Sequence, residues 1–416
     1  MRIQRISLLG LTLLSACDDS YRPPRPPPPV TQTPAPRPAP TPAPKPAPTP
    51  AKPPAPVDPM LALAAHGSHT CGLRTSGAVA CWGKNSDGQL GDGTRTDMPR
   101  AVPVPGLSDI AELALGLNFS CVRRRSGQVM CWGNNEDGQL GDGKGARPGA
   151  RSVTPVAVLG ISDATQLSAG DGHVCALRRS GTVSCWGLGG DGQLSAVSER
   201  SAQPQAVAGL GGVAQIASGG NHVCARRPTG AVVCWGRNTE GQLGDGVSGS
   251  KIKPVAVKGL TDAVDLIAGS THTCARRRAG AVVCWGGNSQ GQLGDGNSGT
   301  FAQRTPVAVQ SLGPVAQLAL GRDHSCARSN DGKVSCWGSN NNGLLGHDPS
   351  KDLGVQFAPK PVTGLTNVGD LSVGDFHSCV VTRDDQVLCW GENGAGQLAK
   401  SFASLGSSFT PVAVGL

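Results

Sequence analysis

Aromatic residues make up 3% of this 416-residue chain and hydrophobic residues 38%, so a thick apolar core is excluded and each folded unit has only a thin layer to bury. Long apolar runs are missing too. The one near the N-terminus, Ile6 to Leu14, is too short to cross a bilayer as a helix. No two cysteines stand at the close spacing that zinc sites favour, and no nucleophile–base pair or pair of carboxylates is set apart by its context. The formal charge of +8 is not a nucleic-acid signal once divided, because residues 1–58 hold seven basic and three acidic groups and leave only +4 for the rest. No nucleic-acid partner and no cofactor is expected.

What the chain has is glycine, 60 residues of it, and one unit repeated seven times: Cys, nine residues, Cys-Trp-Gly. The pairs are Cys71 with Cys81, Cys121 with Cys131, Cys175 with Cys185, Cys224 with Cys234, Cys274 with Cys284, Cys326 with Cys336 and Cys379 with Cys389, and all seven tryptophans follow the second cysteine. A period of roughly 50 residues points to one repeating architecture rather than the two or three domains that length alone suggests.

In the first copy, pairing Cys71 with Cys81 leaves Thr75-Ser76-Gly77 as a three-residue loop with glycine last, the type I turn with a G1 bulge. Gly127, Gly181, Gly230, Gly280 and Gly332 recur at this place, and only the seventh copy, Arg383-Asp384-Asp385-Gln386, lacks the glycine. Asp385 tolerates the left-handed conformation there at some cost. Counting back from the turn makes each cysteine pair directly opposed and non-hydrogen-bonded, with α-carbons about 4.5 Å apart. One cross-strand disulfide per repeat follows, each contributing about 2–3 kcal/mol in the chain-entropy model. Metal binding is the rival, since His69, His173, His222, His272, His324 and His377 precede the first cysteine by two residues. The nine-residue spacing and Phe119 at that position in copy two argue against it, and no metal is expected. The tryptophans point to the opposite face, toward the neighbouring repeat. Asn-x-x-Gly-Gln-Leu-Gly-Asp-Gly, a variable loop and Thr-Pro-Val-Ala-Val complete four strands per copy.

The fifteenth cysteine, Cys17, closes Leu14-Ser15-Ala16-Cys17 behind a basic start (Arg2, Arg5) and the short apolar run. These residues resemble the lipobox of bacterial lipoproteins, which implies a signal peptide over 1–16, lipidation of Cys17 and a place in the bacterial cell envelope. Asp18 follows, a residue that favours inner-membrane retention in some bacteria, and the choice of membrane stays open. Residues 17–59 form the anchor and linker, with 19 of the 33 prolines between Arg22 and Pro59. As polyproline II that stretch reaches up to about 120 Å at ~3.1 Å per residue.

Cys131-Trp-Gly-Asn-Asn-Glu-Asp-Gly-Gln-Leu-Gly-Asp-Gly143 resembles the repeat of the regulator of chromosome condensation family, and near-copies stand at 81–93, 234–246 and 284–296. The resemblance covers the chain from about residue 57 onward and implies an all-β, seven-bladed β-propeller over 60–416. The copies start and stop in phase, leaving no spare strand to complete a shared blade, and how the ring closes stays open.

The family's founder exchanges nucleotide on a small GTPase. With an exported chain and no inserted wedge segment, no GTPase partner is expected, and neither is an enzyme. Secreted relatives that bind β-lactamases show the scaffold serving as a binding platform. The expectation is a monomeric, membrane-tethered scaffold that recognises a protein or envelope polymer, with a hydrolase or lyase acting on an extracellular substrate as the alternative. The loops Lys144–Thr154, Asn297–Thr305, His347–Lys360 and Ala399–Thr410 vary most, and four phenylalanines, Phe301, Phe357, Phe402 and Phe409, fall in the last three. Two readings stand for them, an aromatic hot spot or staples of the outer strands. Arginines cluster at the hairpins, among them Arg74, Arg123, Arg178, Arg226, Arg277 and Arg328, either as a patch for an acidic partner or as a solvated rim neutralised by acidic neighbours. The aspartates of Gly-Asp-Gly (Asp92, Asp142, Asp245, Asp295) are read as turn residues.

Overall fold

The Thr75-Ser76-Gly77 loop closes in the expected way: the Arg74 amide donates to the Ala78 carbonyl and the Gly77 amide to the Arg74 carbonyl, both at 2.9 Å, with Gly77 at φ +85°. Asp385 takes the same left-handed role in the seventh copy, at φ +63°. These contacts come from a computed structural model that describes residues 24–27, 29 and 58–415 except 146, 300, 352 and 353. The signal-peptide and Cys17 assignments and most of the proline-rich segment lie outside the described residues. The chain divides into two units, 1–55 and 56–416.

Blade 1 consists of β1 (Met60–His66), β2 (His69–Arg74), β3 (Val79–Gly83) and β4 (Met98–Pro103), paired in that order as an antiparallel sheet. Six more sheets of four consecutive strands follow, blade 2 over 110–157, blade 3 over 164–206, blade 4 over 215–256, blade 5 over 263–308, blade 6 over 315–361 and blade 7 over 368–413. Among the described residues the only helical segment is one 3₁₀ turn, Asn341–Gly343, and no helix is long and apolar enough to cross a membrane. The protein is an all-β, seven-bladed propeller.

Each blade carries one disulfide between its second and third strands. In blades 1 to 3 the bonds join Cys71 to Cys81, Cys121 to Cys131 and Cys175 to Cys185. In blades 4 to 7 they join Cys224 to Cys234, Cys274 to Cys284, Cys326 to Cys336 and Cys379 to Cys389. All seven pairings are those that the hairpin register requires. The α-carbons stand 4.0–4.1 Å apart, slightly closer than the 4.5 Å of an undistorted opposed pair, so the expected separation is corrected downward. The bond draws the two strands together at that point.

The apolar layer lies between blades. One cluster joins Cys121, Cys131 and Leu140 of blade 2 to Leu167, Val174 and Trp186 of blade 3, and six others repeat the arrangement around the ring. The disulfide of one blade thus packs with the tryptophan of the next. Every tryptophan is fully buried, and its indole N–H donates to a backbone carbonyl of the preceding blade, as from Trp132 to Gln89 at 2.8 Å.

Closure between blades 7 and 1 uses the same contacts. Trp82 donates to the Gln397 carbonyl at 3.0 Å, the Thr70 hydroxyl meets His377 Nε2 at 2.6 Å, and the β1 amides of Met60, Leu63 and Ala65 donate to Asp385, Asp370 and Ser372. No strand is shared between the first and last repeats.

The outer strands begin earlier than the sequence loops allow. In blade 6 the fourth strand is Val355–Pro361, and in blade 7 it is Ser407–Ala413, so Phe357 and Phe409 are strand residues. A bulge makes this possible: in blade 2 Cys131 pairs with Val156 but Gly133 with Ser152, so the strand accommodates Pro155 out of ladder register and pairs again before it.

Candidate binding face

Antiparallel order sends two kinds of connection to each end of the ring. The short turns between first and second strands share one end with the long loops between third and fourth strands, here the loop end. The opposite, hairpin end carries the second-to-third turns.

At the hairpin end the arginines are largely answered. Arg123 pairs with Glu112 at 2.7 Å, Arg178 with Asp163 at 2.7 Å and Arg277 with Asp262 at 2.8 Å. Arg226 and Arg328 donate to Gln215 and Gln317, and Arg74 to the Asp58 carbonyl. Burial pushes the Glu112 carboxyl up, against the opposing pull of Arg123. This is a rim of local pairs, each worth little on its own.

On the loop end, the constant part of each long loop is held from within. Asn85 Oδ1 accepts the Leu90 amide at 3.0 Å and its Nδ2 donates to Asp92 at 3.2 Å, while Gln89 Oε1 accepts the Asp87 amide at 2.9 Å. Asn135 with Asp142 and Asn238 with Asp245 repeat the device. The Gly-Asp-Gly aspartates are therefore turn acceptors.

The four phenylalanines divide into two pairs. Phe357 lies on Gly291 and Phe409 on Gly343 of the preceding blade, so close that a Cβ on either glycine would sit 2.8 and 2.5 Å from a ring carbon. Val153, Ala202 and Ile252 hold the same position over Gly88, Gly138 and Gly192, which makes it a staple between blades. Phe301 and Phe402 have no such seat and are 79% and 64% exposed on the loops of blades 5 and 7.

The repeated histidines are fully buried. His69 Nε2 meets Ser120 Oγ at 2.9 Å, His222 meets Thr273 at 2.8 Å, and His272 meets Ser325 at 2.9 Å, always one blade on. Ser120 in turn donates to the Gln89 carbonyl at 2.8 Å, the same carbonyl that takes Trp132. With its proton so committed, that hydroxyl can only accept from histidine, which places the imidazole proton on Nε2. Burial lowers His69, His222, His272, His324 and His377 to about 3, so they stay neutral in that role. Copy two replaces the pair by Phe119 and Val174. His173 faces Val223, and neither ring nitrogen has a partner.

The seven first strands line an axial channel whose mouth at the loop end opens into a cavity of about 530 Å³. Asp171, Glu240, Asp323 and Asp375 line it, against Arg237 and Arg322. His66, on the last residue of β1, bonds Asp171 Oδ1 through Nε2 at 3.1 Å. Burial opposes a charge on His66, but the bond to Asp171 and the nearby Asp375 outweigh it and raise the imidazole above its ordinary value. Asp171 is held below the usual range because His66 overcomes its burial. Asp375 and Asp323 are pushed up, chiefly by burial.

These residues escape a reading of the sequence because each comes from a different copy. The signal is present in the alignment of repeats: His66 stands where the others have Gly116, Gly170, Gly219, Gly269, Gly321 and Gly374, and the next position runs Gly67, Leu117, Asp171, Gly220, Ser270, Arg322, Asp375. Among the described residues no group of three His, Cys, Asp or Glu is arranged to hold a metal ion.

A closed ring of disulfide-pinned blades with a constant frame and unequal loops defines a repeat propeller of scaffold type, in which the copies differ mainly at one end. Residues 32–312 match the RCC1-like domain, and residues 315–344, 370–397 and 331–381 match the regulator of chromosome condensation (RCC1) repeat; the chain belongs to this family. Curated relatives include the human probable E3 ubiquitin-protein ligase HERC6, 34% identical over 108 residues, and mouse regulator of chromosome condensation, 34% identical over 89. The matches span 24% and 21% of this chain but only 10% and 21% of those proteins. Among solved structures, that of Kap60 bound to yeast RCC1 (Prp20) superposes with a TM-score of 0.73 at 20% identity, covering 86% of this chain and 84% of the other. Human WBSCR16 gives 0.68 at 22%, covering 82% and 94%. At these identities the likeness is one of fold.

Proposed function

We propose that this protein is an exported, lipid-anchored binding scaffold that recognises a protein partner through its loop end. The observation that carries the reading is that the variable loops lie on the same end of the ring as an asymmetric axial mouth, with Phe301 and Phe402 exposed on two of those loops. Seven buried disulfides suit an oxidising compartment, and the Leu14-Ser15-Ala16-Cys17 sequence supplies the means of attachment. The structure of Prp20p from Saccharomyces cerevisiae, described with its binding to Gsp1p and histones, is a similar propeller at 20% identity, and lends the general role of protein binding without its partners.

The test has two arms. The full chain is used to capture partners from envelope extracts, beside a variant whose blade 5 and blade 7 loops are replaced by that of blade 4. A saturable protein partner lost on replacement supports the reading, and equal capture by both forms overturns it. Metabolic labelling with a clickable fatty acid is expected to mark the wild type and not Cys17→Ala; an unlabelled wild type removes the anchor.

A further inference from the structure

Six of the seven copies place a glycine directly after or at the end of the first strand, and only the first places a side chain there. His66 breaks the pattern and ties blade 1 to Asp171 in blade 3, across the intervening blade. Beside them, Asp375 is only 6% exposed, lines the cavity and accepts no hydrogen bond through its carboxylate among the described residues. Its carboxylate reaches the cavity from a largely buried residue and has no protein donor among the described residues, so a cationic N–H donor entering the cavity would complete its hydrogen bonding.

We propose that the axial mouth at the loop end is a receptor for an alkylammonium group, carried by a lysine side chain or by a free aliphatic amine. The charge left over at the mouth is negative. Arg322 lies over the Phe376 ring, 5.9 Å from its centre, with Nε 3.7 Å from Asp323, and Arg237 Nε donates to Thr239 at 3.2 Å. Both guanidiniums thus have neighbours, and Asp375, with His66 and Arg322 as its charged neighbours, accepts no hydrogen bond from either among the described residues. Asp171 is kept ionised by His66. The acceptors come from four separate blades around the mouth, an arrangement that suits a compact ammonium with its diverging protons. Leu117 gives an apolar wall for the methylenes behind it. A metal ion is the poorer match, since no three ligating groups converge among the described residues.

This names the chemistry of the partner on the loop end and so rests on the function proposed above, but small probes separate the two. The full chain is titrated by calorimetry with cadaverine, with Nα-acetyl-lysine methylamide and with its Nε-acetylated form. Saturable binding of at least one ammonium probe, none of the acetylated form, and a loss of about tenfold or more on Asp375→Asn are expected. Asp384→Asn at the hairpin end serves as the control and should bind as the wild type does. Preference for the lysine derivative identifies a protein source, and equal or better binding of cadaverine a free amine. Absence of saturable binding by the wild type, or unchanged affinity in Asp375→Asn whose melting is that of the wild type, overturns the proposal. Should Asp375→Asn fold poorly, Asp323→Asn is the second variant, with weaker ammonium binding expected and unchanged binding counting against the site. If loop replacement abolishes partner capture while no ammonium probe binds, only this inference fails.

Discussion

Trp82 in blade 1 donates its indole N–H to the backbone carbonyl of Gln397 in blade 7 at 3.0 Å, and Trp235 in blade 4 makes the same bond to Gln193 in blade 3 at 2.9 Å. The joint that closes the ring is therefore built like the joints inside it. Trp82→Phe and Trp235→Phe are each expected to destabilise the protein by about 2 kcal/mol or more, through a lost donor and a small cavity. The two values should agree to within about 0.5 kcal/mol when measured by urea unfolding. A clearly smaller cost for Trp82→Phe would mean that the closing joint bears less than the others.

His173 is the one repeated histidine facing a valine, Val223, where its counterparts face serine or threonine. Val223→Thr keeps the shape and puts a hydroxyl between His173 Nε2 and the Gln193 carbonyl. A gain of about 1 kcal/mol is expected, seen as a rise in Tm of about 1 °C for a domain of this size. In a His173→Phe background, which reproduces the Phe119–Val174 pair of copy two, the same change should bring no gain. Equal gains in both backgrounds would show that the imidazole is not the partner.

The buried histidines set a direction for stability with pH. Burial holds His173 at about 4 and five others at about 3, against an ordinary 6.5. The unfolded chain takes up protons at these positions first, so their contribution is complete above about pH 6.5 and declines as the pH falls toward the folded values. His66, raised by Asp171, works in the opposite sense but is one group against six. The urea midpoint is expected to fall steadily between pH 6.5 and 5, before most carboxylates titrate. A flat profile in that window would remove the assignment of neutral, buried imidazoles.

Much of the frame is legible without coordinates because it is local. Thr75-Ser76-Gly77 sets the hairpin register, the register places Cys71 opposite Cys81, and alternation turns Trp82 the other way; each step spans a dozen residues. The same count holds in the last copy, where Cys379 stands opposite Cys389 although Asp385 replaces the turn glycine. The contacts that escape such a reading are longer in sequence. That His69 meets Ser120 depends on the rotation between neighbouring blades, and that His66 reaches Asp171 depends on how seven blades share one axis. The outer strands read as starting late because Pro155 and its equivalents look like breakers, and only a bulge lets pairing resume on their far side. Phe357 and Phe409 are indistinguishable from Phe301 and Phe402 by composition. Their separation rests on which ring finds a glycine of the preceding blade beneath it.

Each blade is made of four consecutive strands, and no blade is assembled from both ends of the chain. The ring consequently has no privileged seam. Circular permutation at any of the connections between blades would rebuild the same seven sheets, with the joint between Trp82 and Gln397 turned into an internal one. Closure of the ring is then independent of which blade comes first along the chain.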